Sequence, residues 1–176
     1  CTAMIYQGKR AVIETIRTAV NGQSQNPLLE QFYRVVQQTA DMVMITNLKG
    51  IIEYVNPAFE HRTGFSREEV LGKTPRILNS GEHPREVYQQ LWQTILSGQV
   101  FQATLINNKK NGERYYSEKI ITPIKNAAGQ ITHFVSTDRD ISAQKALELQ
   151  LLQSSRLVSL GQMAAGVAHE LYQPLT

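Results

Sequence analysis

The sequence has little of what defines several common protein classes. Cys1 is its single cysteine among 176 residues, so no disulfide forms within the chain and we expect a reducing, cytoplasmic setting. No apolar run approaches the length of a membrane-spanning helix. Lys and Arg number 18 against 15 Asp and Glu, without a run of five or more basic residues, which argues against a nucleic-acid partner.

Signatures of an independent enzyme are also missing. The sequence has no glycine-rich nucleotide-binding segment, no cluster of metal ligands and no Ser/His/Asp candidate set. We therefore expect no metal site and no self-contained catalytic activity. The chain begins with Cys1 in place of Met and carries no signal peptide, so we expect it to be a fragment of a longer protein.

What is present is an ordinary globular composition, with 41% hydrophobic and 19% charged residues. Helical spacing of apolar residues covers 28–38, and a long helix is predicted from Pro84 to a stop at Gly98. Short helices are predicted after Asn56 and after Ser66, where Ser66 and Glu69 form a capping-box pattern. Five strand-like runs cover 42–46, 51–55, 100–108, 114–124 and 131–141. This order predicts an α+β fold with one antiparallel sheet and helices on one face.

The two ends of the chain differ from this middle part. Residues 1–20 fit either a hairpin that turns near Gly8 or a helix that ends at Asn21, and the polar segment 21–27 looks like a linker. Residues 143–176 return to helical spacing. A heptad seam typical of a coiled coil includes Leu147, Leu151, Ser154, Val158, Gly161, Ala165, Ala168, Tyr172 and Leu175.

The middle part resembles a PAS sensor domain over residues 28–142. The likeness rests on "ADMVMITNLKGIIEYVNPAFEHRTGFSREEVLGKTPRIL" and on "INNKKNGERYYSEKIITPIKNAAGQITHFVSTDRDIS". The resemblance implies a five-stranded PAS sheet with an N-terminal flanking helix. It also favours the hairpin for residues 1–20, which look like the end of a preceding PAS domain.

The last helix carries a second resemblance. "SLGQMAAGVAHELYQPLT" is similar to the first helix of the dimerisation and phosphoacceptor domain of sensor histidine kinases. The resemblance implies that His169 accepts the phosphoryl group, and we assign Glu170 as the base that accepts or orients the imidazole proton. Tyr172 stands where this family usually has Asn, which puts local contacts to the kinase or response regulator in question. The ATP-binding domain does not follow, so we expect this fragment alone to be inactive as a kinase.

The resemblance also suggests a cofactor site. PAS domains that hold a flavin commonly place Asn at the position of Asn107, and flavin-binding PAS domains of nitrogen-fixation regulators share a "VYQxLW" helix, in which Trp92 lies. An amide suits the polar edge of FAD or FMN, and Trp can flank its apolar ring. The alternative is structural: Trp92 belongs to the core and Asn107 caps a strand end.

Two other sensor chemistries are disfavoured. Light-oxygen-voltage domains form a flavin adduct through a Cys at the position of Pro75, so no adduct photocycle is expected here. Haem is less favoured than flavin, because His61, His83 and His133 have no ligand-like context. We expect each of these histidines to be solvated or hydrogen-bonded.

These observations lead to two functional hypotheses. In the first, the chain is the sensory part of a two-component histidine kinase: a PAS domain responds to a small ligand, redox state or cofactor and controls His169 through a dimeric helix, with a response regulator as partner. In the second, it is a non-catalytic PAS module that regulates a partner, with His169 unused. In both, we expect a homodimer. At the junction after the last strand, Ser142 is predicted to cap the helix, with Asp140 beside it.

Overall fold

The computed structural model describes residues 27–171, with side chains at residues 27–28 and 30–157. The predicted hairpin over 1–20 lies outside this range. So do residues 21–26 of the predicted linker and residues 172–176 of the predicted last helix. Pro27, predicted as the end of the linker, is the first residue of a helix.

Helices and strands follow one another in the predicted order. The helices are α1 (Pro27–Gln38), α2 (Pro57–Thr63), α3 (Arg67–Val70), a 3-10 helix (Pro75–Leu78), α4 (Arg85–Leu96) and α5 (Ser142–Leu171). The strands are β1 (Met42–Asn47), β2 (Ile52–Val55), β3 (Phe101–Asn108), β4 (Arg114–Lys125) and β5 (Ile131–Asp140). Within the described range, no helix is both long and apolar enough to cross a membrane.

The strands form one five-stranded antiparallel sheet in the order β2-β1-β5-β4-β3. The hairpin of β1 and β2 therefore pairs, through β1, with β5 at the centre of the sheet. The short helices and α4 lie between β2 and β3 in the chain. The predicted antiparallel sheet with helices is confirmed.

Local sequence explains the short helices. Asn56 caps α2 by accepting a hydrogen bond from the Phe59 N–H, and Pro57 follows it with the backbone angle that a helix start requires. The predicted capping box of Ser66 and Glu69 is present in both directions. α2 ends at Gly64, whose φ of 76° is the left-handed conformation favoured by glycine.

Two apolar clusters pack on the inner face of the sheet. The first cluster combines Met42, Met44, Ile52, Val55, Phe59, Val70, Leu78 and Tyr115. The second combines Leu91, Ile95, Phe101, Ile121 and Phe134. The first is covered by α2, α3 and the 3-10 helix, whereas α4 alone covers the second.

The junction between β5 and α5 differs from the prediction in one contact. Ser142 does not use its hydroxyl as the helix cap; its Oγ accepts a hydrogen bond from the Tyr116 N–H of β4 at 2.9 Å. The Asp140 carboxylate instead accepts from the Ser142 N–H at 2.9 Å and takes the capping role. The serine hydroxyl does not cap the helix because the Tyr116 N–H, near the start of β4, lies beside it and donates to it. The start of α5 is thereby joined to two strands.

Candidate functional site

A cavity of about 1320 Å³ lies between α4, the 3-10 helix and the inner face of the sheet. Its apolar wall comes mainly from Met44, Leu78, Leu91, Ile95, Leu105, Ile121 and Phe134. Pockets for drug-sized ligands are commonly about 300–1,000 Å³ with mostly apolar walls and few polar groups. This cavity is large enough for such a ligand.

Trp92 forms one edge of the cavity. Its ring meets Phe134 edge-to-face, with centroids 6.1 Å apart, and its side chain remains 38% exposed. A Cβ added to Gly50 would lie 2.9 Å from Cη2 of Trp92, so the turn between β1 and β2 touches the indole. Trp92 therefore lies at the mouth of the cavity rather than in the closed core.

Asn107 contributes a free hydrogen-bond donor. It lines the cavity from β3 and is only 6% exposed, yet no described residue lies at hydrogen-bonding geometry from its Nδ2. The hydroxyl of Tyr115, directly across on β4, is close enough for the Asn107 amide to oppose part of the rise in the pKa of Tyr115. A buried amide without a partner is costly, and most such groups in folded proteins are satisfied. A ligand carbonyl or ring nitrogen at this point would satisfy the Asn107 donor.

The segment after the 3-10 helix forms a further wall. His83 Nε2 accepts a hydrogen bond from the Ile106 N–H at 2.6 Å, and the Ser80 hydroxyl donates to the Ile106 carbonyl at 2.6 Å. The Tyr88 hydroxyl donates to Asn79 Oδ1 at 3.0 Å, and burial raises the pKa of Tyr88. These contacts fasten the segment to the edge strand β3 and hold its side chains against the cavity.

A buried charged cluster lies on β4 and β5. The Lys119 ammonium is 2.7 Å from Oδ1 and 2.9 Å from Oδ2 of Asp138, directly across the two strands. The hydroxyls of Ser117 and Ser136 each donate to the same carboxylate at 2.7 Å. Burial, followed by the negative charge of Asp138, raises the pKa of the neighbouring Tyr115 hydroxyl.

The charged residues that line the cavity all have one sign. Lys49, Arg76 and Arg85 are exposed at its rim and Lys119 is buried in its floor, while no Asp or Glu is among the lining residues. Asp138 neutralises Lys119, whereas the three rim cations have no carboxylate partner within the described range and favour a ligand that carries negative charge. The donor set therefore fits a ligand with an apolar body, a hydrogen-bonding edge and an anionic group.

These properties fit the predicted flavin nucleotide. Asn107 would meet the polar edge of the ring, apolar residues and Trp92 would flank its body, and the rim cations would hold phosphate. Pro75, at the position of the adduct-forming Cys, also lines the cavity. The structure thus brings Trp92, Asn107 and Pro75 together, and the assignment of the first two as cofactor contacts stays a prediction.

Of the other predicted residues, His83 also lines the cavity. His169 and Glu170 are in the helical backbone of α5, beyond the side chains that the structure describes. Of the remaining histidines, His61 is exposed and His133 Nε2 is 3.2 Å from Glu53 on the neighbouring hairpin. His83 is hydrogen-bonded as described above.

Sequence reasoning missed the buried cluster and the rim cations. Ser117 and Lys119, and likewise Ser136 and Asp138, alternate along their strands and so share one face of the sheet. Polar residues at successive positions of a predicted core face were the signal that could have identified the cluster. The rim cations come from three separate loops and helices, so no spacing in the sequence joins them.

Comparison with known proteins gives a family and several relatives. The PAS fold family model matches residues 30–141. The "Nitrogen fixation regulatory protein" of Klebsiella oxytoca is 38% identical over 80% of this chain and 28% of its own length. The "Blue-light-activated histidine kinase" of Brucella canis is 30% identical over 74% of this chain and 27% of its own length. The chain therefore spans little more than a quarter of these relatives.

A solved structure agrees with the fold. It is a light-oxygen-voltage domain studied with a flavin analogue, and it matches 72% of this chain and 96% of its own with a TM-score of 0.59. The two sequences are 18% identical, so this likeness concerns the fold alone.

Proposed function

Because the chain belongs to the PAS fold family, we propose that it is the sensory part of a cytoplasmic two-component histidine kinase. In this proposal the cavity binds FMN or FAD, and α5 transmits the signal from the PAS domain to His169. The observation that supports this most is the unpartnered, buried Nδ2 of Asn107 inside a cavity whose charged lining residues are all cationic. A relative named as a blue-light-activated histidine kinase supports the kinase part.

A bound flavin would supply a redox-active ring system with visible absorption. Asn107 would donate to that ring, and Trp92 would cover one side of it. Lys49, Arg76 and Arg85 would bind phosphate at the rim. Pro75 carries no thiol, so a flavin held here would report a redox or ligand change rather than form a light-driven cysteinyl adduct.

The cofactor is tested by the absorption spectrum of the purified chain. We expect flavin bands near the blue, and we expect Asn107→Ala to weaken flavin retention about tenfold, since one hydrogen bond to a buried group is lost. Trp92→Ala should alter retention as well. Asn108→Ala is the matched control, because adjacent residues of a strand point to opposite faces. A colourless chain that binds neither FMN nor FAD would contradict the flavin assignment.

At the phosphoacceptor, a neutral His169 imidazole would attack the γ-phosphorus of ATP held by a separate ATP-binding domain. The new N–P bond would form as the bond to ADP breaks, and Glu170 would take the proton from the other ring nitrogen. We expect the chain alone to gain no phosphate from ATP. With the ATP-binding domain supplied, we expect acid-labile phosphate on this chain and none on His169→Gln. Equal labelling of the two would disprove the assignment.

Signal transfer requires two copies of α5 in our proposal. Leu147 and Leu151 lie on the predicted seam and are exposed in the single chain, as are Phe32 and Val35 of α1. Burial of such surface in a parallel homodimer is favourable at about 25 cal/mol per Å². We expect light scattering to give a dimer that Leu147→Glu weakens. Leu149→Glu is the control, because Leu149 is equally exposed (56% against 57%) but lies two positions off the seam. A monomeric native chain at micromolar concentration would contradict the dimer.

A second candidate is a regulatory module in which His169 is unused. The Klebsiella relative, at 38% identity, is named a regulatory protein rather than a kinase, which favours this alternative. Tyr172, in place of the usual Asn, favours it too. In that case the cavity and dimer predictions stand, no phosphate appears on His169, and a partner protein rather than a response regulator would receive the signal.

A further inference from the structure

Only one member of the buried ion pair of Lys119 and Asp138 lines the cavity. Lys119 and Ser136 line the cavity, whereas Asp138 is not among its lining residues. The Asp138 carboxylate already accepts two hydroxyl hydrogen bonds and two contacts from the ammonium. The carboxylate thus finds its partners within the cluster, and Lys119 is the member of the ion pair that lines the cavity.

Burial distinguishes Lys119 from the other cations of the site. Lys119 is 6% exposed, whereas Lys49, Arg76 and Arg85 are exposed at the rim. Solvent and salt screen exposed charges, but a buried charge acts through a less polar medium and is felt more strongly at the same distance. Lys119 is therefore the lining cation best placed to distinguish charge states of the ligand body.

We propose that Lys119 sets the charge preference of the cavity, so that it favours the more electron-rich state of a bound flavin and raises the flavin's reduction potential. This inference rests on the proposed flavin site. Lys119 is not among the cofactor contacts that the resemblance assigns, which are Trp92 and Asn107. Its physical basis is electrostatic: reduction adds electrons to the ring, and a cation in the cavity wall, whose carboxylate partner does not line the cavity, lowers the free energy of the state with more negative charge.

The same geometry predicts an order among variants. Lys119→Met removes the ammonium and leaves the Asp138 carboxylate, so the floor changes from a neutral pair to a negative charge. Lys119→Met with Asp138→Asn removes both charges; the Asn oxygen still accepts from one serine hydroxyl, and the Asn N–H can donate to the oxygen of the other serine. The potential should fall most in the single variant and less in the double variant. Lys119→Arg should preserve it, because the charge stays.

The experiment is a reductive titration of the full 176-residue chain loaded with FMN or FAD, with dithionite as electron donor and a reference dye. At a fixed solution potential, we expect Lys119→Met to raise the ratio of oxidised to reduced flavin at least tenfold. For a two-electron couple that is about 30 mV. Lys119→Arg should change the ratio less than threefold. Lys125→Met is the matched control and should also stay within threefold, because Lys125 lies on the same strand as Lys119 but is exposed and does not line the cavity.

Each outcome decides a separate point. A wild-type chain that binds no flavin contradicts the cofactor assignment and removes this inference with it. Flavin bound with the same potential in wild type and Lys119→Met overturns the inference alone. Equal shifts in Lys119→Met and Lys119→Arg also overturn it, because they would show a packing effect. If Lys119→Met fails to fold, the double variant takes its place, and an unchanged potential there overturns the inference.

Discussion

The two halves of the sheet's inner face differ in how completely their side chains are packed. Under α2 and α3 the side chains are almost fully enclosed, with Phe59 only 1% exposed and Ile52 and Val70 similarly buried. Under α4 the packing is looser: Leu91 is 9% exposed, Trp92 is open to solvent, and a cavity remains. We call these the closed half and the open half. One sheet thus supports both a core that is complete and a core that a ligand would complete.

The helix caps explain part of this contrast. α2 begins at Asn56, whose side chain binds four backbone groups: it accepts from Val43 and Phe59 and donates to Val36 and Asp41. α4 begins after Pro84, which supplies no side-chain cap. The closed half is therefore held by directed hydrogen bonds at its helix starts. The open half depends on packing, and its packing is incomplete.

The largest expected effect tests the closed half through its core. Phe59→Ala should cost about 3–5 kcal/mol of unfolding free energy, because a fully enclosed ring leaves a cavity. Leu91→Ala in the open half should cost about 2 kcal/mol, the lower end for such truncations, because a void already exists there. Urea unfolding measures both. Equal losses would show that the two halves pack alike.

The second prediction concerns Asn56, which is completely buried. Asn56→Ala should cost about 1–3 kcal/mol for the stranded Val43 N–H, together with about 1 kcal/mol for the lost cap of α2. Asn56→Asp is the matched variant: it keeps the acceptor but removes the donors to Val36 and Asp41. It should release the end of α1, because the second carboxylate oxygen repels the carbonyls of Val36 and Asp41. Hydrogen exchange of α1 amides measures this release. Protection unchanged in Asn56→Asp would contradict the tethering role.

The third prediction sharpens the contrast from the open half. Gly50→Ala places a Cβ against Trp92 at a backbone φ of 74°. Gly72→Ala adds the same left-handed strain, at φ 79°, with no atom within 4 Å. The strain should cost each variant more than about 1 kcal/mol of unfolding free energy. Only Gly50→Ala should displace the indole, so a change in Trp92 fluorescence and flavin retention is expected there alone. Identical behaviour of the two variants would show that the turn does not position Trp92.

Much of the closed half follows from local patterns in the sequence. Asn56-Pro57 and the Ser66–Glu69 pair mark helix starts that depend on atoms close together in the chain, and both are present. The strands follow from their alternation and β-branched residues. Ser142 was wrongly predicted as a cap, because the competing Tyr116 N–H comes from a strand 26 residues earlier.

The open half depends on contacts between distant segments, which local patterns do not predict. Asn107 and Trp92 were singled out by resemblance, and their meeting in one cavity needed the fold. Lys119 and Asp138 are 19 residues apart and meet only because β4 and β5 pair in one register. No helical or strand period connects them. The unpartnered state of Asn107 likewise depends on which side chains the fold brings near it.

The smallest expected effect on stability lies where the open half meets α5. Asp140 accepts from the Ser142 N–H, and its neighbour Arg139 forms two hydrogen bonds with Asp41, next to α1. The junction thus joins the last strand to α5 and, through Asp41, to the segment that follows α1. Asp140→Ala should cost only about 1 kcal/mol, as for an ordinary helix cap. If α5 transmits the signal between two nearly balanced states and the Asp140 cap forms in only one of them, loss of the cap changes their ratio about fivefold. In the longer kinase chain that we propose, we therefore expect a several-fold change in His169 phosphorylation with little loss of thermal stability. Asp140→Asn keeps the acceptor oxygen and should stay near wild type. Equal phosphorylation in Asp140→Ala and wild type, with and without stimulus, would reduce Asp140 to a structural cap and place the transmission of the signal elsewhere.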